Sequence, residues 1–476
     1  MMVPRSRFGL RDDSTRPVVC VQGLGFVGAA MAAAVAAARD HNGRPCFDVI
    51  GVELDTPNGH DRASRVASGR FPFASADPEI GKAVEMAHNA GNLGATTDHA
   101  AFGLASIAIV DVHLDVATGD KGEPTALLAD FEKAIATLGR ELPAGALVIV
   151  ETTVPPGTCE RVVAPVLARE LAARGMPADA LLLAHSYERV MPGPDYFSSI
   201  VNFWRVYAGH TPEAGDACGR FLSGIVNVQR FPLRRLASTT ASELAKVMEN
   251  SYRAINIALV EEWARYAENS GVDLFEIIDA IRDRPTHNNI RQPGFGVGGY
   301  CLTKDPLFAE AAVKQFRGAD ALTFPFCRSA VEINRQMPIA NLDRIERLAG
   351  SVKGKSILLL GVAYRSEVAD TRYSPAEIFF REASRRSARL RCHDPYVREW
   401  SELGMTLPEQ IPDPLDSDIV VFAVPHRAYR ELDVVSWLGG ARPLIYDCDN
   451  VLKRDMRAAL RQAGIRVEST GRGIGL

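Results

Sequence analysis

The stretch PGFGVGGYCLTKDP, Pro293 to Pro306, gathers the residue types that a covalent mechanism needs. Gly294, Gly296, Gly298 and Gly299 make a loop whose backbone can approach a ligand closely, and Cys301 follows it directly. A thiol becomes a nucleophile when its pKa falls below the ordinary ~8.5, which a nearby lysine or a helix N-terminus achieves. Lys304 and Asp305 stand three and four residues beyond the cysteine, so one helical turn brings both toward it. The competing interpretation is a loop merely shaped by its glycines, with the thiol as buried filler.

Three further stretches offer polar side chains where a substrate would sit. VIVETTVPPGT (Val148 to Thr158) runs off a strand end, and open α/β sheets bind ligands at the carboxyl ends of their strands. Thr152 and Thr153 there present hydroxyls to a substrate or water, unless the segment is only turn punctuation. In SELAKVMEN, Lys246 and Asn250 lie four apart and share a helix face, so together they can polarise a substrate oxygen. The alternative there is a surface lysine with its stem along the helix and its head in water. In HSYERVMPG (His185 to Gly193), Glu188 also follows a strand end. The ten histidines show neither H-x-x-H nor HExxH spacing, so no metal site is indicated. A serine-nucleophile elbow and a Walker loop are both absent from the sequence.

The elements that must position these groups begin near the N-terminus. Pro17 to Ala38 carries no charge, which superficially suggests a signal peptide or a short membrane span. The run opens instead with a β-type stretch, VVCVQ, and is broken by Gly23, Gly25 and Gly28, each costing a helix up to ~1 kcal/mol relative to alanine. As strand, turn and helix the segment makes sense: VVCVQ is a buried strand, GLGFVG the turn, and Ala29 to Ala38 a helix of small residues lying close to a sheet. The first glycine permits the tight turn, the second admits a pyrophosphate, and the third allows helix–strand contact at the positive end of the helix. The next strand, FDVIGVELD (Phe47 to Asp55), ends in acids, with Glu53 the first candidate for a ribose hydroxyl and Asp55 the second. A carboxylate at that point favours NAD over NADP.

Composition sets the frame. At ~150 residues per domain, 476 residues suggest about three domains. An apolar fraction of 47% and a charged fraction of 24% are those of a soluble globular chain and exclude wholesale disorder. A net charge of −4 carries no footprint for nucleic acid or an anionic membrane surface. The eight cysteines contain no C-x-x-C pair, and their scatter reads as reduced thiols in a cytoplasm.

Strand and helix patterns alternate to about residue 210, with strands at Ser106 to Val112, Ala146 to Glu151 and Ala180 to Ser186, and a helix at Phe131 to Leu142. That pattern predicts a doubly wound parallel sheet in residues 1–210, the NAD-binding domain. Residues 211–337 form a central helical region that contains the cysteine loop; within it Ala241 to Ser270 runs without Gly or Pro, the mark of a helical spine. A further helix is expected to end near Met337 and Pro338. Residues 338–476 then show their own βα alternation, with a strand at Ser356 to Tyr364 and a helix at Ser374 to Ala388. Gly361 is the single glycine of that domain's first turn, so a second dinucleotide is not expected to bind in the same way.

Taken together and in this order, these motifs resemble the UDP-glucose/GDP-mannose dehydrogenase family, the nucleotide-sugar 6-dehydrogenases. The resemblance runs from GLGFVG through ETTVPPGT, the ELAKVMEN helix, GVGGYC and VEINRQMP to DTRYSP (Asp370 to Pro375). It implies two Rossmann-like doubly wound α/β domains joined by a long central helix that also forms a homodimer interface, or that of a larger homo-oligomer. The N-terminal domain would bind NAD and the C-terminal one the UDP-sugar, both facing a shared cleft. It implies cofactor contacts from Gly23, Gly25, Phe26, Val27 and Gly28, from Glu53 and Asp55, and from Thr153 and Lys304. The implied reaction is oxidation of the sugar's C6 hydroxyl to an aldehyde, attack by Cys301 to give a thiohemiacetal, oxidation to a thioester by a second NAD, and hydrolysis to the uronic acid, as a precursor of bacterial polysaccharide. Lys246, Asn250 and a water on Asp305 would meet the developing oxyanion and proton, while Glu188 and Thr153 would handle the hydrolytic water. Glu188, Arg189, Lys246, Asn250, Gly296, Gly298, Tyr364 and Arg372 would contact the sugar nucleotide.

The chain also departs from the family pattern. Ser186-Tyr187-Glu188-Arg189 resembles the S-P-E-R of members acting on UDP-N-acetylhexosamines, with Tyr in place of Pro. Tyr300 stands before the cysteine where His or Ser is common, and Asp111-Val112-His113 replaces a Cys-Val-Pro-type strand end. The expected substrate is a UDP-N-acetylhexosamine. The alternatives are UDP-glucose or GDP-mannose in the same reaction, a two-electron β-hydroxyacid-type dehydrogenase, and a binding protein without catalysis.

Overall fold

The computed structural model describes residues 3–119, 122–318 and 322–476. The chain divides into two compact units, one of Met1–Met248 with Leu307–Thr323 and the other of Glu249–Pro306 with Phe324–Leu476.

In the first unit the strands are β1 (Val18–Gln22), β2 (Asp48–Val52), β3 (Leu93–Thr96), β4 (Ile107–Val110), β5 (Val116–Thr118), β6 (Pro124–Ala126), β7 (Leu147–Val150), β8 (Leu182–His185), β9 (Val206–Gly209) and β10 (Arg234–Arg235). All but β5 and β6, which pair with each other, form one sheet in the order β10-β9-β8-β7-β4-β1-β2-β3. The pairs from β3 across to β8 are parallel, with Cys20 opposite Ile50 on one side and Ala108 on the other. This is the doubly wound sheet expected from the sequence, extended by β9, which lies antiparallel to β8. Strands buried on both faces need continuous Val, Ile and Leu rather than alternation, and β1, β2 and β7 are buried at every position. The helix Phe26–Ala37 buries Ala29 through Ala36, and its small side chains join the core of this sheet. The order reverses direction at β1, between β2 and β4, which is where such sheets bind their ligands.

The second unit holds β11 (Ser356–Leu360), β12 (Arg389–His393), a short antiparallel pair β13 (Glu399–Trp400) and β14 (Met405–Thr406), then β15 (Ile419–Phe422), β16 (Leu444–Asp447) and β17 (Val467–Ser469). Its main sheet is parallel throughout, in the order β12-β11-β15-β16-β17. The helix expected to end near Met337 runs instead from Pro325 to Ala349, straight through Pro338. Proline removes one backbone donor and crowds the preceding turn, which ordinarily ends a helix. Here Leu342 and Ile345 beyond it are fully buried in the core of this unit, and their burial carries the helix past the break.

The long helix appears as Thr239–Ser270, beginning two residues before the stretch read from the sequence. It starts in the first unit and continues in the second from Glu249. In the second, its residues Val260, Ala264 and Ala267 pack with Leu274 and Ile278.

Candidate active site

The glycine loop of the first unit has the geometry of a dinucleotide cradle. Gly23 adopts φ +94°, and a Cβ there would stand 2.6 Å from the Asp111 carbonyl oxygen. A Cβ on Gly28 would fall 1.9 Å from the Gly23 carbonyl oxygen, so only glycine lets this helix start so close to β1. Gly25 differs: a Cβ there would meet nothing within 4 Å, which leaves its face open. As the N-cap of the helix Phe26–Ala37, Gly25 supplies no side-chain cap, so the helix presents its first N–H groups with their partial positive charge to an anion. The residues present therefore fit a bound pyrophosphate.

Glu53, just past β2, is 7% exposed; it accepts from the Leu24 backbone N–H at 2.9 Å and that of Leu54 at 3.0 Å, with Arg62 at 3.2 Å. Its first structural role is thus to brace the glycine loop. Asp55 lies outward, 2.7 Å from His60. The corresponding turn of the second unit is arranged differently. Gly361 has φ +101°, and the N–H groups of Val362 and Ala363 both donate to buried Asp394, at 2.9 and 3.0 Å. A carboxylate occupies the donors that a phosphate would use.

At the carboxyl ends of β4, β7 and β8 the first unit carries a polar cluster that sequence reasoning largely missed. Arg205 and Glu151 form a buried ion pair. The Asp111 carboxyl is held well above the usual carboxylate range, first by burial and then by the adjacent Glu151. Burial likewise raises Glu151, against the opposing pull of Arg205. Thr152 donates to the carbonyls of Val110 and Val112, at 3.1 and 2.9 Å, locking β7 to the end of β4, while Thr153 beside it is half-buried. The first turns of the long helix clasp the same strand ends. Ser242 Oγ lies 2.8 Å from His185 Nδ1, and Glu243 accepts from the N–H groups of Gly157 and Cys159, at 2.5 and 2.8 Å. Lys246 Nζ donates to the Glu188 carbonyl at 2.8 Å and lies 3.4 Å from its carboxylate. Lys246 is 5% exposed, so it is a buried cation rather than a surface lysine. Ser242 and Lys246 at i and i+4 were the available signal for this clasp.

In the second unit Asn250 Nδ2 donates to Asp305 Oδ2 at 2.8 Å, and Lys304 Nζ donates to Asp305 Oδ1 at 3.0 Å. All three side chains are buried. Cys301, four residues before Asp305, is the one exposed thiol of the eight cysteines. It lies on the short helix Tyr300–Lys304 that follows the glycine loop. The loop is built tightly: a Cβ on Gly298 would lie 2.4 Å from the Tyr373 carbonyl oxygen and 2.7 Å from the Tyr364 Cβ. Gly296 has φ +112°, and the Gly299 N–H donates to the Arg372 carbonyl at 3.1 Å. Arg372 makes a two-pronged pair with Asp370, at 2.8 and 2.7 Å, and its guanidinium sits 4.5 Å from the Tyr300 ring centre. Tyr364 is half-buried, and that desolvation raises its phenol well above the ordinary range. Among the described residues no group of three or more His, Cys, Asp or Glu side chains is arranged to hold a metal ion. No described helix is long and apolar enough to cross a membrane.

A doubly wound sheet with an open glycine loop at the N-terminus of a helix defines a dinucleotide-binding protein. Three family models of the UDP-glucose/GDP-mannose dehydrogenase family match the chain: the NAD binding domain over residues 18–220, the central domain over 240–336 and the UDP binding domain over 358–454. The chain belongs to that family, whose members are NAD-dependent nucleotide-sugar dehydrogenases. It is 30% identical over 441 residues to the UDP-N-acetyl-D-mannosamine dehydrogenase of Pyrococcus horikoshii, covering 91% of this chain and 96% of that one. It is 28% identical over 429 residues to an NDP-N-acetyl-D-galactosaminuronic acid dehydrogenase of Ralstonia nicotianae, covering 87% and 92% of the two chains. Its fold is similar to the solved structure of the Pyrococcus horikoshii UDP-D-ManNAc dehydrogenase, with a TM-score of 0.77 at 27% identity over 96% of this chain and 99% of that one.

Proposed function

We propose that the chain oxidises the C6 hydroxyl of a UDP-N-acetylhexosamine to the uronic acid in two successive two-electron steps. The observation that carries this reading is exposed Cys301 closing a glycine loop, with the buried Asn250–Asp305–Lys304 cluster in the turn that follows. NAD, when bound, supplies the hydride acceptor, so that alcohol, water and two NAD yield the acid, two NADH and two protons.

The chain's own residues do the rest. Gly23, Gly25, Phe26, Val27 and Gly28 hold the pyrophosphate, Glu53 and Asp55 serve the ribose side, and Thr153 and Lys304 complete the cofactor contacts. Lys246 and Asn250 stabilise the developing alkoxide, and a water on Asp305 takes the hydroxyl proton. The Cys301 thiolate adds to the aldehyde carbon, forming the C–S bond of a thiohemiacetal, which oxidation converts to a thioester. Water positioned by Glu188 and Thr153 attacks that carbon, the C–S bond breaks and the thiolate returns. Proton handling of this kind contributes about 10²–10⁴-fold. Glu188, Arg189, Gly296, Gly298, Tyr364 and Arg372 complete the sugar-nucleotide contacts. The choice of an N-acetylhexosamine is supported by Ser186-Tyr187-Glu188-Arg189 and by the names of the relatives above. The product would feed bacterial polysaccharide synthesis in a cytoplasm, where the thiol stays reduced. Exposed Tyr252, Trp263 and Tyr266 on the long helix support a homodimer formed there.

An NADH-release assay over a panel of UDP- and GDP-sugars tests the reading. Two NADH and one acid per UDP-N-acetylhexosamine are expected, with no acid from Cys301→Ser. One NADH per sugar, or full acid production by that variant, overturns it.

A further inference from the structure

Tyr187 replaces the proline of the S-P-E-R pattern, and the structure puts its side chain to a use that proline does not offer. The residue is 2% exposed. Lys246 Nζ lies 5.4 Å from its ring centre, and the Arg189 guanidinium carbon lies 5.3 Å from it. Arg189 Nη2 also donates to the Tyr187 hydroxyl at 3.2 Å, while its Nη1 donates to the Trp204 carbonyl at 2.9 Å. A second ring, Phe203, stands 5.8 Å from the same guanidinium. On its other neighbours the tyrosine meets His185, ring centres 6.3 Å apart, and His185 is itself fixed to Ser242. The electron-rich face of a buried aromatic ring favours a cation beside it, more so where water is excluded. Proline offers no such face and no hydroxyl.

We propose that Tyr187 is a positioning residue for Lys246 and Arg189, its ring stabilising the buried ammonium and its hydroxyl fixing the guanidinium. This rests on the reading that Lys246 meets the substrate oxygen. The charged and titratable groups facing Lys246 include the Glu188 carboxylate at 3.4 Å, Arg189 on the same ring, and His185, which burial and the nearby cations Lys246 and Arg205 keep neutral. Glu188 attracts the ammonium from its carboxylate side, and the Tyr187 ring lies beside the same ammonium. The hydroxyl–Arg189 contact is separable from the ring–Lys246 contact, because phenylalanine removes the first and keeps the second.

The test compares Tyr187→Phe with Tyr187→Leu. Phenylalanine should leave kcat and its pH profile unchanged and raise KM for the sugar nucleotide several-fold. Leucine should lower kcat about three- to tenfold and move its alkaline limb to lower pH, because the ammonium loses its support. Titration of Lys246 by NMR in lysine-labelled protein, its signal assigned by absence in Lys246→Met, reads the same shift without catalysis. A Lys246 titration unmoved in Tyr187→Leu overturns the proposal whatever the kinetics show. A titration that moves while Lys246→Met retains full activity upholds Tyr187 as the support and overturns the catalytic reading of Lys246 instead.

Discussion

Asn250 and Asp305, 55 residues apart in the chain, meet in the second unit through a 2.8 Å hydrogen bond between two buried side chains. The amide donates to one oxygen of the Asp305 carboxyl and Lys304 to the other, so the group is held in a fixed direction. Replacing Asn250 by Ala leaves a buried carboxyl group with one donor fewer, a loss of about 1–3 kcal/mol in stability. Urea denaturation of Asn250→Ala should show that loss. Asp305→Asn should reduce kcat by about 10²–10⁴-fold with a smaller change in KM, read by steady-state kinetics.

Two glycines of the cofactor loop, Gly25 and Gly28, separate folding from binding. Gly28→Ala places a methyl 1.9 Å from a backbone oxygen and should fail to fold or lose most of its stability, seen in expression and thermal melting. Gly25→Ala has room for its methyl and an ordinary φ of −67°. It should melt like the parent protein, yet bind NADH at least tenfold more weakly by fluorescence titration, since the methyl covers the face offered to the pyrophosphate.

Asp111 gives stability a definite pH slope. Burial and the neighbouring Glu151 raise its folded pKa far above the ~3.9 of an unfolded aspartate. The native chain then keeps a proton that the unfolded chain releases. Its contribution is fully present below about pH 4 and declines as the pH rises from there. Asp111→Asn should therefore flatten this decline and gain stability relative to the parent between about pH 5 and 8, measured by denaturant titrations across that range.

His185 acts in the opposite sense. Burial pushes it down to about 3, so the native protein holds it neutral while the unfolded chain protonates near 6.5. The contribution is present above about pH 6.5 and is lost as the pH falls toward 3. His185→Gln should weaken the fall of stability with acid over that window, and denaturant midpoints at successive pH values check it.

Local patterns in the chain were enough to determine the glycine loop, the two runs of buried strands, the long helix and the cysteine loop. Each is written in a short stretch of sequence: strand runs in uninterrupted Val and Ile, the cradle in three glycines of set spacing, the helix in thirty residues without a breaker. The same patterns predicted that the helix near Met337 would stop at Pro338, because proline's local cost is legible and the distant core that offsets it is not. Which charges would meet was also beyond the sequence. Lys246 reaches Glu188 across 58 residues, Arg205 reaches Glu151 across 54, and Glu53 accepts from the Leu24 N–H 29 residues away. Such pairs form only once strand ends and a helix start are brought together, because removing a charge from water is tolerable only beside its partner. Tertiary structure alone therefore decided that Lys246 is a buried cation and that Tyr187 lies beside it.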